Sequence, residues 1–269
     1  MSDLTIARPT AALTHRTGAL TVRTEALTMI GRCLRLSRRN VEALITSLAL
    51  PVIILLLFVY LFGGAIQTGG AYVTYVVPGV ILLAATFGAG TTAVSVSLDM
   101  STAVIDRFRS MGIRGASVLS GQVAASVARN LVSGVLVVGV AFAIGFRPHA
   151  GALAWLATVG VLTMFIVAVS WLAAALGLLA KTPEAANGFS FLVTFLPYAS
   201  SAFVPIATMP GWLQGFSRNQ PVTPVIETVR ALLLGTPVGD NAWTAVAWCA
   251  GITVVAVTMC AVLFRRRTA

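Results

Sequence analysis

The chain has 269 residues, of which 58% are apolar and only 10% charged, and its mean hydropathy is +0.93. Soluble domains carry about 25% charged residues, so this composition argues against a soluble enzyme and for a membrane-embedded chain. The formal net charge of +10 comes from 17 arginines and one lysine, a balance that suits nucleic acid or an anionic membrane surface.

Residues 1–20 are rich in Thr, Ala and Arg without firm periodicity and read as a flexible tail. The first forty residues hold no apolar core of the kind a cleavable signal needs. From residue 21 to 40 the pattern changes. Val22, Ala26, Met29, Cys33 and Leu36 recur at helical spacing, while Arg23, Arg32, Arg35, Arg38 and Arg39 fall largely on the remaining surface. That is a basic amphipathic helix suited to an inner leaflet, or else a solvated charged helix.

Six apolar stretches follow, at about 43–63, 73–98, 118–146, 152–180, 188–206 and 242–264, and together they predict an all-α, polytopic membrane domain over 43–264. Pro51 should kink the first, and Pro197 should interrupt the fifth. The second is rich in small residues (Gly88, Ala89, Gly90), which permit close helix packing in lipid. The third contains Arg129, the one charge inside a predicted span. Two readings suit it: it snorkels to headgroups, or it lines a polar path.

Residues 99–114 are polar and charged. Val104, Ile105, Phe108 and Met111 form an apolar stripe, with Asp106, Arg107 and Arg109 off it, so Ser101 to Met111 reads as a short amphipathic helix. Two placements suit it: lying on lipid, or plugging a groove in a cytoplasmic partner with Phe108 as the anchor.

Residues 207–238 contain two short helical phrases. Pro210 to Phe216 is the first. In the second, Thr223 is the expected N-cap, Pro224 the first helical residue and Gly235 the stop. There Val225, Val229 and Leu232 share a face, and Glu227 with Arg230 makes an i, i+3 ion pair, a local contact or a gate at an external mouth. Neither phrase reaches across about 30 Å of hydrocarbon. The pair is expected to dip into the membrane or lie on its surface. The chain closes on Arg265, Arg266 and Arg267, within a C-terminus at 265–269.

Orientation follows from the loop charges. If the N-terminus is cytoplasmic, the inner segments hold seven cations before span one, three after span two, Lys181 and the three terminal arginines. The outer segments hold Arg147, Arg218 and Arg230. Both termini are therefore expected inside, and 207–238 outside.

The sequence shows no catalytic constellation. Lys181 follows no glycine-rich phosphate loop, and neither HExxH nor GxSxG occurs. His15 and His149 are far apart, and Cys33, Cys249 and Cys260 lack metal-ligand spacing, so no metal site is expected and the cysteines read as small apolar side chains.

Three stretches carry a family resemblance: LDMSTAVIDRFRSMGIRGASVLSGQ, FVPIATMPGWLQGFSRNQPVTPVIETVRALLLG, and the basic helix before span one. Over roughly residues 21–267 the chain resembles ABC-2 type transporter permeases of the daunorubicin/doxorubicin-resistance kind. It departs from them at Ser101 to Ala103, where those permeases often carry a glycine.

The resemblance implies a permease subunit with an elbow helix at 21–40 (Arg32, Arg35, Arg38, Arg39) and a pair of external re-entrant half-helices. It also implies a cytoplasmic coupling helix at 99–114, in which Asp99, Val104, Ile105, Asp106, Arg107, Phe108, Arg109 and Met111 meet an ATPase. The implied partners are two copies of an ATP-binding subunit, a second and identical permease chain, and membrane lipid, with no nucleic acid. ATP and Mg would sit on the ATPase, leaving this chain without a bound cofactor or an enzymatic activity of its own. The implied cargo is a hydrophobic drug, lipid or lipid-linked product moved outward across the cell membrane, with Arg129, Glu227 and Arg230 on its path or gate. A secondary transporter or channel, and a non-transporting scaffold, are the competing readings. The first of these usually places ionisable groups in several spans.

Overall fold

The computed structural model describes residues 31, 41–66, 71–101 and 115–268. The expected elbow arginines (Arg32, Arg35, Arg38, Arg39), the tail at 1–20 and the coupling residues Val104 to Met111 lie outside the described residues. Among those described, every regular element is helical.

Helix α1 (Val41–Leu57) runs into a π-helical turn at Phe58–Phe62, and Pro51 sits inside α1 without ending it. Helix α2 (Tyr72–Ser101) carries Pro78, α3 covers Gly115–Ala143, and α4 covers Ala152–Leu179. Helix α5 is Pro183–Phe195, and a 3₁₀ turn at Leu196–Ala199 follows it. Two short helices come next, α6 (Gly211–Asn219) and α7 (Val222–Leu234), and then α8 (Asn241–Thr268). Four of these are long and apolar enough to cross a membrane: α2, and the stretches 117–143, 152–179 and 241–266 within α3, α4 and α8.

The fifth apolar stretch departs most from expectation. Its helix starts at Pro183, inside what reads as a polar turn, because Thr182 Oγ1 accepts from the Ala185 N–H and Pro183 occupies the first helical position. It stops at Phe195, because Pro197 supplies no N–H and restricts the residue before it. Three further boundaries move. Helix α6 extends to Asn219. Helix α7 begins at Val222 with Pro221 before it, so Thr223 is not the N-cap. Its hydroxyl instead donates to the Ser217 carbonyl at 2.6 Å. The terminal arginines continue α8 rather than leaving it, and cations suit the negative end of a helix dipole. Gly235 ends α7 as expected, at φ +70°, and its N–H and that of Thr236 both turn back to the Ala231 carbonyl.

Helix α2 is the axis. It packs against α1, α3, α4, α5 and α7, and 78% of its most apolar stretch is buried, against 17% for α8. Val76, Val77, Val80, Leu82 and Leu83 are fully enclosed, and Phe165 and Ile166 of α4 and Val225, Ile226 and Val229 of α7 join the same core. Lipid tails are as apolar as these side chains, so close backbone approach has to hold such helices together. Small residues permit it. A side chain on Gly79 would meet the Ala202 Cα at 2.6 Å, one on Gly88 would collide with Asn130 of α3, and one on Gly177 of α4 would strike the Ala93 carbonyl. Helix α8 turns Ala245, Cys249, Ala256 and Cys260 inward, packs on α4 and α7, and leaves Val246, Val254, Val255 and Val262 exposed.

Gly79→Val should therefore destabilise the protein by about 1–3 kcal/mol, the usual cost of overpacking. Gly160→Ala, where a methyl meets nothing within 4 Å, should be neutral or slightly favourable. Thermal unfolding in detergent measures both.

Candidate functional site

The functional side chains named from sequence attach to α2 at three levels. The first is near its start, where the 200–203 turn and α7 meet it. Arg230 of α7 is 7% exposed. Its Nε and Nη2 donate to the Tyr75 carbonyl at 3.3 and 3.1 Å, Nη2 also donates to the Ser201 carbonyl at 2.7 Å, and Nη1 reaches Glu227 Oε1 at 2.7 Å. The guanidinium carbon lies 3.8 Å from the centre of the Tyr75 ring. One planar group thus joins α7, α2 and the turn between α5 and α6. Only a guanidinium offers that fan of donors together with a face for stacking.

The i, i+3 pair expected from sequence is present, but it is the smaller part of what Arg230 does. Glu227 keeps a third of its side chain exposed, so the pair itself is worth little. Neighbouring bonds fix the same region. The Tyr72 hydroxyl donates to the Phe203 carbonyl at 2.9 Å, the Phe203 ring stacks on Phe58 with centroids 4.2 Å apart, and the His149 N–H donates to the Leu233 carbonyl at 3.0 Å.

The second level lies midway along α2. Arg129 of α3 is half-buried, and its Nη2 donates to the Gly88 carbonyl at 3.1 Å, Thr91 Oγ1 at 2.7 Å and Thr92 Oγ1 at 3.2 Å. The neighbouring helix thus supplies three acceptors to this one nitrogen. Gly88 makes room, because the Asn130 side chain fills the space its Cβ would occupy. Asn130 Nδ2 donates to Ser126 Oγ at 3.3 Å, and Ser170 Oγ of α4 donates to the same oxygen at 2.9 Å. A polar seam therefore runs from α2 through α3 to α4 inside an otherwise apolar bundle. Such groups are costly in hydrocarbon unless paired, and here Arg129 Nη2, Asn130 Nδ2 and Ser170 Oγ each have an acceptor.

The third level is at the far end of α2. Asp99 Oδ2 accepts from Gln122 Nε2 of α3 at 2.7 Å, which ties the two helices where residues 102–114 connect them.

Arg129 and Arg230 do not converge. Tyr75 and Gly88 are thirteen positions apart on α2, about 20 Å by helical rise. Sequence reading missed Tyr75, Ser201, Thr91, Thr92, Ser126, Asn130, Ser170 and Gln122. Their only sequence signal is that they are polar within apolar runs, and the pairing belongs to the tertiary fold. Among the described residues no three His, Cys, Asp or Glu side chains gather as a metal site.

Removing Arg230 strands two buried carbonyls. Arg230→Met should cost about 1–3 kcal/mol, and Arg230→Lys should restore little, since one ammonium cannot serve three acceptors and the ring. Glu227→Gln should cost less than about 1 kcal/mol. Unfolding midpoints of the three variants in one detergent should rank in that order.

Comparison with known proteins adds the family. The model of the ABC-2 type transporter family matches residues 24–234. A daunorubicin resistance ABC transporter permease, DrrB1, from Streptomyces coeruleorubidus is 35% identical over 195 residues, covering 72% of this chain and 69% of the relative. A probable doxorubicin resistance ABC transporter permease, DrrC, from Mycobacterium tuberculosis is 25% identical over 230 residues, 85% of this chain and 83% of the relative. The Escherichia coli inner membrane transport permease YadH is 27% identical over 202 residues, 71% and 77% respectively. With the helical bundle, its membrane-length helices and a family match over most of its length, the chain belongs to the ABC-2 type transporter family as a multi-pass membrane permease.

Proposed function

We propose that this permease is the membrane-spanning subunit of an ATP-driven exporter that moves a hydrophobic or amphiphilic compound outward, with ATP and Mg held by a separate ATP-binding subunit. The family match over residues 24–234, with relatives named for daunorubicin and doxorubicin resistance, carries the reading. The complete unit holds two such permeases, identical in sequence, and two ATP-binding subunits. Each permease crosses the cell membrane six times, α1 with its π-helical turn and α5 with the 3₁₀ turn that continues it supplying the two crossings besides the four long helices.

The arrangement of the helix ends supports an inside N-terminus. The end of α1, the start of α2, the 144–151 loop and α7 lie together, as the Phe58–Phe203, Tyr72–Phe203 and His149–Leu233 contacts require. The opposite end carries Lys181, Arg265 and Arg266, all exposed. The stretches that connect there in sequence, 1–40 and 102–114, bring ten further arginines. Cations concentrate on the cytoplasmic side of a membrane protein.

In this reading residues 99–114 are the coupling helix, with Asp99, Val104, Ile105, Asp106, Arg107, Phe108, Arg109 and Met111 facing the ATPase. The elbow arginines Arg32, Arg35, Arg38 and Arg39 rest on the inner leaflet. Closure of the ATPase pair pushes on 99–114, and the Asp99–Gln122 bond transmits the push to α2 and α3 together. Rigid-body shifts of the bundles then open the outer side. Arg230 and Glu227 hold the outer rim, and Arg129 sits beside the route as a fixed charge.

The purified permease alone should hydrolyse no ATP, and hydrolysis should appear with its cognate ATP-binding subunit. Phe108→Ala or Arg109→Ala should lower transport about tenfold or more, as loss of a buried anchor does, while membrane insertion and ATP hydrolysis persist. Transport unchanged in both variants defeats the coupling assignment. In a background with all three native cysteines changed to Ser, Thr236→Cys should react with an impermeant maleimide in intact cells, and Lys181→Cys only after permeabilisation. The reverse pattern inverts the topology.

A further inference from the structure

Helix α6 turns large aromatic side chains away from the protein and part of its polar content toward it. Gln214 Nε2 donates to the Met209 carbonyl at 2.9 Å, Ser217 Oγ to the Ala199 carbonyl at 2.7 Å, and Gln220 Nε2, just past the helix end, to that same Ala199 carbonyl at 2.7 Å. Ser217 is fully buried and Gln220 is 4% exposed. Its aromatic side faces away. Trp212 is 80% exposed and Phe216 54%, and their i, i+4 spacing puts them on one face.

A helix that turns an indole and a phenyl outward beside the exposed polar Arg218 and Asn219 is built for a boundary between water and apolar surroundings on its free side. The rest of this end of the bundle has the same character. Tyr60 and Phe62 at the end of α1, Phe195 and Tyr198 at the end of α5, and Trp243 at the start of α8 are all exposed. Together they form an aromatic collar where α1 and α5 end and the membrane-length α8 begins, the level at which tryptophan and tyrosine gather in membranes. Arg218, exposed in the last turn of α6, adds a cation of the right sign for lipid phosphates.

We infer that the Trp212–Phe216 face of α6 is a lipid anchor seated at the headgroup level of the outer leaflet. The inference rests on the proposed membrane topology and assigns the two external half-helices different partners. Helix α7 is held by protein, through Arg230 on α2. Helix α6 is held on one side by three side-chain hydrogen bonds to the 199–209 turn and on the other by the bilayer itself. The outer rim of the permease thereby has a fixed half and a half that follows the membrane surface.

The test uses tryptophan emission of the full chain in phosphatidylcholine–phosphatidylglycerol vesicles. One variant keeps Trp212 alone and another keeps Trp248 alone, the other four tryptophans being changed to Phe. Trp248 lies seven residues into α8, about 10 Å along its axis, and serves as the spanning control. Lipids carry a nitroxide at the headgroup or at mid-chain, and acrylamide reports water.

Trp212 should be quenched about twofold more by the headgroup nitroxide than by the mid-chain one, and Trp248 in the opposite order. Acrylamide quenching of Trp212 without nitroxide quenching overturns the anchor and leaves the membrane reading intact. So does silence to all three quenchers, which means that a second copy covers the face. Failure of Trp248 to respond to either nitroxide strikes at the membrane reading instead. If the four-fold replacement does not fold, Trp212→Phe in the otherwise natural chain must remove a headgroup-quenched part of the emission. An unchanged quenching profile overturns the anchor.

Discussion

A guanidinium in an apolar bundle has to be met by acceptors on a neighbouring helix, and the organisation of this protein follows from α2 supplying them. The Tyr75 carbonyl receives Arg230 near one end of that helix, and the Gly88 carbonyl with the Thr91 and Thr92 hydroxyls receives Arg129 at its middle. Water does not compete for these donors in hydrocarbon, and an unmet polar group there costs several kcal/mol. Each arginine therefore fixes a distance and a rotation between α2 and its partner. Apolar contacts alone do neither, because they are exchangeable with lipid.

The same helix explains the use of small residues. Gly79 lets the Ala202 backbone reach α2, which brings the Ser201 carbonyl under Arg230. Gly88 lets Asn130 reach it, alongside Arg129. At both places a missing Cβ and a buried arginine work as a pair, the first allowing the approach and the second holding it. The periphery is built on other terms. Helix α8 is largely exposed and packs through alanine and cysteine against α4 and α7, and α6 is tied by polar bonds to the loop beneath it and to Thr223 of α7. For the proposed exporter this separates a braced centre from elements able to move against lipid.

Much of the fold was legible because membrane helices must be long, apolar and continuous. The expected stretches 73–98 and 152–180 correspond closely to α2 and α4, and the stop at Gly235 follows from a left-handed turn that glycine adopts readily. The fifth stretch misled because apolar content does not register a backbone break. Thr182 and Pro183 start a helix within polar sequence, and Pro197 ends one within apolar sequence. Thr223 misled for a related reason: a threonine before a proline fits a capping position, but its hydroxyl was taken by Ser217 across the turn.

The sequence by itself determined that this chain is helical and membrane-embedded, since the length of an apolar run is a local property, and the resemblance of stretches such as Phe203 to Gly235 pointed to the ABC-2 permeases. It also determined the Glu227–Arg230 pair, whose partners are one helical turn apart. Only the tertiary structure decided what the arginines hold. Arg230 meets Tyr75 across 155 positions of chain and Arg129 meets Gly88 across 41. A carbonyl leaves no mark in a sequence, because every residue has one. Which carbonyl is reachable depends on where a glycine lets two backbones come together.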